Sequence, residues 1–156
     1  MQSPSLAPGV RGRGMATVAC LLVVCLTGCG GGGPQTEQAQ IRHVLRAYLR
    51  AQAHGRGRAA CALLAPAGRA ELVSAVSIAA RGLISLPPTC PRAVRLVRAA
   101  VGRAVLDSLV KVRIRRVRVI GLVGSVRIRD PGRRFPPQVV EFVRGAGGWR
   151  ITGIGG

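Results

Sequence analysis

The sequence predicts an α+β domain: N-terminal helices packed on an antiparallel sheet of about four strands, preceded by a signal peptide. Three observations carry this reading. Apolar residues recur with a helical period in the first part of the chain. After Lys111 they alternate with arginines at period two, as half-buried strands do. Near the N-terminus a charge-free apolar run ends at a cysteine followed by Gly30 to Gly33. Helices first and strands second mark the α+β class, not an alternating α/β sheet.

The apolar run extends from Met15 to Leu26, behind Arg11 and Arg13. About a dozen residues are too few to span a bilayer, which takes roughly 20, but they suit the apolar region of a signal peptide behind a basic start. The following Leu26-Thr27-Gly28-Cys29 resembles the bacterial lipobox. That resemblance implies that the Cys29 thiol receives diacylglycerol and that the chain is cut between Gly28 and Cys29. An ordinary secretory signal, or an uncleaved anchor with an incidental cysteine, is the alternative. Residues 1–28 are thus assigned to the signal, 29–35 to the lipidated cysteine and a Gly-rich tether, and 36–156 to one domain. A flexible glycine tether holds a domain on the order of 15 Å from the lipid, and two acyl chains suffice for stable anchoring. The expected location is extracytoplasmic, on the cell membrane and not through it.

Cys20 and Cys25 leave with the signal and Cys29 carries lipid, so Cys61 and Cys90 remain. An even pair in an exported domain suggests a disulfide; two buried free thiols are the alternative. With no histidine near either cysteine in sequence, the pair makes a poor zinc set.

Ile41, Val44, Leu45, Tyr48 and Leu49 form one face of an amphipathic first helix, and Gln52 ends the apolar stripe. Thr36 is its expected N-cap, with Glu37 in the first turn, and Gly55 its stop. A short second helix fits residues 58–64 and a third 67–80. Pro87, Pro88 and Pro91 punctuate a loop, with Pro91 opening a further helix whose apolar positions are Val94, Val97, Val101 and Val105. The strands follow. Val117 and Val119, then Val126 and Ile128, alternate with arginines, with a turn at Gly121 or Gly124. The doubled Arg115-Arg116 predicts a β-bulge. Asp130-Pro131-Gly132 ends the second strand, and residues 139–144 and 149–154 form a closing hairpin around a Gly-rich turn.

"IRHVLRAYLRAQAHGRGRAACALLAPAGRAEL" and the terminal "GGWRITGI" resemble the opening and closing segments of nuclear transport factor 2-like domains, the superfamily that includes ketosteroid-isomerase-like proteins, as found in actinobacterial lipoproteins. The resemblance implies a curved sheet wrapped against the helices into a cone with a pocket at its open end, and makes Tyr48 and Trp149 the candidate pocket residues. Enzymes of that superfamily use a carboxylate base with a tyrosine in an oxyanion hole. Tyr48 lies where such a tyrosine would be, and Glu71 is the nearest acidic residue downstream. Tyr48 also falls on the apolar stripe, as a core tyrosine would, and Glu71 stands early in a helix, where the dipole favours a carboxylate without catalysis. A pocket lined by a polar pair would favour an enzyme; one filled by side chains would favour an interaction role.

Other chemistry is thin. The acidic residues Glu37, Glu71, Asp107, Asp130 and Glu141 include no two close enough in sequence to suggest a paired acid and base. His43 and His54 would stand about 16 Å apart along the first helix, too far to share a metal. No nucleophile-elbow, zinc-protease or P-loop pattern occurs, and no cofactor or metal is expected.

Charge stands out. The net charge of +19 falls by two when Arg11 and Arg13 leave with the signal, and every basic residue but Lys111 is arginine. Arginine suits phosphate, but export and the scarcity of aromatics for base stacking argue against nucleic acid. Arg113, Arg115, Arg116, Arg118, Arg127 and Arg129 are instead expected to form a basic sheet face attracted to anionic lipid or acidic wall polymer. Codon-driven arginine on an indifferent surface is the plainer alternative. The expected function is a lipid-anchored, non-catalytic ligand-binding or protein-interaction domain at the cell envelope. A small-molecule isomerase or hydratase-like enzyme is the alternative, with a nucleic-acid-binding protein behind it.

Overall fold

The computed structural model describes residues 33–80, 87–132 and 136–155. The expected signal, the lipobox-like tetrapeptide and Cys29 lie outside the described residues. Five helices are followed by four strands: α1 Pro34–Ala53, α2 Gly57–Ala62, α3 Pro66–Ala79, α4 Cys90–Ala100, α5 Arg103–Val110, β1 Arg113–Ile120, β2 Val123–Arg129, β3 Gln138–Gly145 and β4 Gly148–Gly155. The strands form one antiparallel sheet in the order β1-β2-β3-β4, so each pairs with its sequence neighbour. The α+β order read from the sequence holds.

Helix α1 begins at Pro34, ahead of the expected cap at Thr36. Proline at the first helical position has no N–H to satisfy and its φ is already helical. The Gly33 carbonyl accepts from the N–H groups of Thr36 and Glu37 at 2.8 and 3.2 Å, and no side-chain cap is used. The helix therefore takes in Pro34 and Gln35, which the sequence assigns to the tether. At its other end Gly55 has φ +66°, consistent with its reading as the stop.

The stripe of α1 forms the centre of the core. Ile41, Leu45, Tyr48 and Leu49 are buried against Val117, Val126, Val140, Phe142, Trp149 and Ile151 of the sheet. The cysteines join as a disulfide, Cys61 Sγ to Cys90 Sγ, with Cα atoms 6.2 Å apart. It ties α2 to the first residue of α4, across a stretch whose middle is not described.

One helix expectation is corrected. The segment from Pro91 does not run on through Val101 to Val105. Val101 leaves the helix with φ −96° and ψ 125°, and α5 starts afresh behind Gly102. Glycine costs a helix interior about 1 kcal/mol relative to alanine, and the break turns Leu106 and Ser108 inward while Val105 is exposed. The strand reading holds in detail. The β1–β2 register shifts between Ile114 and Arg116, a bulge at the doubled arginine. The hairpin turns at Gly121, with φ +58°, while Gly124 lies buried inside β2. On β2, buried Val126 and Ile128 alternate with exposed Arg127 and Arg129.

Candidate functional site

The segment between α2 and α3 is sewn to the last strand. Leu64 forms a parallel bridge with Ile151; the Ala65 N–H donates to the Ile151 carbonyl at 2.8 Å, and the Ile151 N–H to the Leu63 carbonyl at 3.0 Å. This lays α3 along β4. Gly68 makes the approach possible: a Cβ there would stand 2.6 Å from the Ile151 carbonyl oxygen. Between α1, α3 and β4 a cavity of about 150 Å³ remains, lined by Tyr48 and Gln52 of α1, Glu71 and Leu72 of α3, and Ile151 and Gly153 of β4, among others.

Two sequence-level candidates thus come together. Tyr48 is 2% exposed, and its hydroxyl enters no side-chain hydrogen bond among the described residues. Burial, and secondarily the negative charge of Glu71, push its pKa up to about 12. Burial strips water from the phenolate, and a nearby carboxylate repels it. Tyr48 is therefore a neutral hydrogen-bond donor throughout the physiological range. Glu71 extends over β4, its Oε2 3.0 Å from where a Cβ of Gly153 would sit. A Cβ at this position would make the carboxylate give way by a few tenths of an ångström.

Glu71 also faces a second, wider groove of about 460 Å³, shared with Val139, Glu141, Gly153, Ile154 and Gly155. Glu141 is the cross-strand partner of Gly153. Glu71 and Glu141, far apart in sequence, thus line one groove beside the same glycine. Their separation in sequence hides this. The available signal was Gly153 itself, since a glycine inside a strand marks a close approach.

The other sequence candidates fall elsewhere. Trp149 is 4% exposed, in the core, and does not line the cavity that holds Tyr48. Its Nε1 is buried without a hydrogen-bond partner among the described residues. His43 and His54 are both exposed, and among the described residues no group of three histidine, cysteine, aspartate or glutamate side chains could hold a metal ion. No described helix is long and apolar enough to cross a membrane.

The arginines fall where the strand period put them. Arg116 opposes Arg127, Arg118 opposes Ser125 and Arg113 opposes Arg129 across the β1–β2 ladder. All six arginines singled out in the sequence are exposed. They line two shallow depressions of about 210 Å³ each, one with Arg116, Arg118 and Arg127, the other with Arg113, Arg115, Arg129 and Asp130. Asp130 is 1% exposed and accepts the Gly132 N–H at 3.1 Å, the turn expected after β2.

Comparison of the chain with protein-family models, with curated proteins and with solved structures gives no match in any of the three.

Proposed function

We propose that the protein is an extracytoplasmic lipoprotein, anchored through Cys29, whose domain serves as a non-catalytic binding or interaction module at the cell envelope. The observation that carries the reading is the Cys61–Cys90 disulfide. Stable disulfides belong to oxidising, extracytoplasmic compartments, and this one agrees with the signal-like N-terminus and the lipobox-like Leu26-Thr27-Gly28-Cys29. The size of the Tyr48 cavity supports an interaction role over a small-molecule site. About 150 Å³ is below the roughly 300 to 1,000 Å³ of ordinary small-molecule sites. The likeness to nuclear transport factor 2-like domains, cone included, belongs to the same proposal. Helices ahead of a four-stranded antiparallel meander, with α1 across its inner face, are compatible with it.

The Tyr48–Glu71 pair favours a second reading, an isomerase or hydratase-like activity on a small substrate. A neutral phenol and a carboxylate facing one cavity supply a hydrogen-bond donor and a base. The wider groove at Glu141 would extend the space for such a substrate.

The test is the intact mass, under non-reducing conditions, of the protein extracted from membranes of its native host, beside a Cys29→Ala variant. A chain beginning at Cys29, heavier by diacylglycerol and lighter by the two hydrogens of one disulfide, is expected. An unprocessed chain with free thiols would overturn the proposal.

A further inference from the structure

The β1–β2 hairpin tip is the most exposed apolar feature among the described residues. Ile120 is 80% exposed, Leu122 62% and Val123 58%, consecutive but for Gly121. Three observations say what this tip meets. First, it lies at the end of the domain where α1 begins. The Arg144 N–H donates to the Leu122 carbonyl at 2.8 Å, and the Arg144 guanidinium pairs with Glu37 in the first turn of α1. Only Gly30 to Gly33 separate that helix from Cys29. Second, the outer face of the sheet changes character in rows behind the tip. Ile120, Val123 and Val143 form one row, Arg118, Ser125 and Glu141 the next, and Arg116, Arg127 and Val139 the row beyond, where the two arginines stand opposite each other. Third, among the described residues β1 is an edge strand with an unpaired side. Its arginines disfavour pairing with another copy of the same edge.

We propose that this end of the domain docks on an anionic lipid surface. Ile120, Leu122 and Val123 enter the boundary between headgroups and acyl chains, and Arg118, Arg116 and Arg127 bind headgroup phosphates. The spacing fits. Residues two apart along a strand are about 7 Å apart, close to the 5 to 10 Å to which interfacial apolar side chains are buried. With the Ile120 row at the boundary, Arg118 is level with the headgroups, and the longer reach of arginine brings in the next row. An acidic wall polymer would satisfy the arginines but offers no apolar phase for the tip. The orientation, though not the docking itself, rests on the Cys29 anchor.

The experiment places a tryptophan at the tip, Leu122→Trp, and another at an exposed apolar position on α3, Ile78→Trp. Ile78 is 57% exposed, and the buried native Trp149 gives the background. Full-length chains extracted from membranes are reconstituted into vesicles of phosphatidylcholine, with or without an equal part of phosphatidylglycerol, carrying a spin-labelled quencher in the upper acyl chain. Several-fold stronger quenching at 122 than at 78 is expected, weakening in pure phosphatidylcholine and in high salt. Equal quenching at the two positions would overturn the proposal. So would a tip tryptophan shielded before vesicles are added in a chain that sediments as a dimer, which would assign the tip to a second copy. Shielding by soluble polyphosphate alone would assign the face to acidic polymer. Intact mass on the same samples reports the state of Cys29 separately, so failure of the anchor and failure of the docking are read independently.

Discussion

Tyr48 is the chain's one tyrosine, so phenolate absorbance reports on it alone. Burial and the Glu71 charge raise its pKa from 10.0 to about 12 in the folded protein. Because the folded chain holds the proton more tightly, the unfolded chain ionises first. The stabilising contribution is whole below about pH 10 and drains away as pH rises towards 12. A proton held over that interval is worth about 2 to 3 kcal/mol, a sizeable part of the 5 to 15 kcal/mol typical of a domain. Two measurements follow. A spectrophotometric titration of the folded protein should give a midpoint near 12, against 10 in denaturant. Urea unfolding followed by Trp149 fluorescence should lose about 2 to 3 kcal/mol across that interval, and Tyr48→Phe should remove this part of the pH dependence. Glu71→Gln should lower the midpoint but leave it above 10, because burial is the larger cause. A folded-state midpoint near 10 would refute the buried, carboxylate-facing placement of Tyr48 and the cavity built on it.

The remaining predictions concern the frame around that cavity and the tip. Replacing both Cys61 and Cys90 with alanine should cost about 3 to 4 kcal/mol, the loop-closure value for their separation of 29, read as a lower urea midpoint with a steeper slope, because the unfolded chain loses its cross-link. Gly68→Ala drives a Cβ to 2.6 Å from the Ile151 carbonyl oxygen and should cost about 1 to 3 kcal/mol as α3 lifts from β4. Gly102→Ala, with nothing within 4 Å, should change stability by less than about 1 kcal/mol in the same assay. Leu122→Ser, at an exposed turn position, should stay within about 0.5 kcal/mol of the parent chain, so that any loss of vesicle binding reports docking and not unfolding.

Local patterns carried much of the architecture. The α1 stripe, the period-two arginines, the bulge at Arg115-Arg116 and the closing Gly-rich hairpin each follow from side-chain spacing alone, because helix and strand periods are properties of neighbouring residues. Where local signals competed, spacing failed. Pro34 outbid Thr36 for the start of α1, and Gly102 broke a valine series that would otherwise continue. The site belongs to the tertiary structure. Tyr48, Glu71 and Glu141 come from α1, α3 and β3, and nothing in their order announces that they share Gly153 and its two hollows. The same holds for the tip, since Ile120 and Leu122 read from the sequence only as strand end and turn. The Leu122–Arg144–Glu37 chain of contacts is what puts them beside the start of α1. Chemistry that depends on one side chain, such as the acylated cysteine expected at Cys29, can be read from a linear motif; chemistry that depends on the distance between side chains is decided only when helices and strands pack.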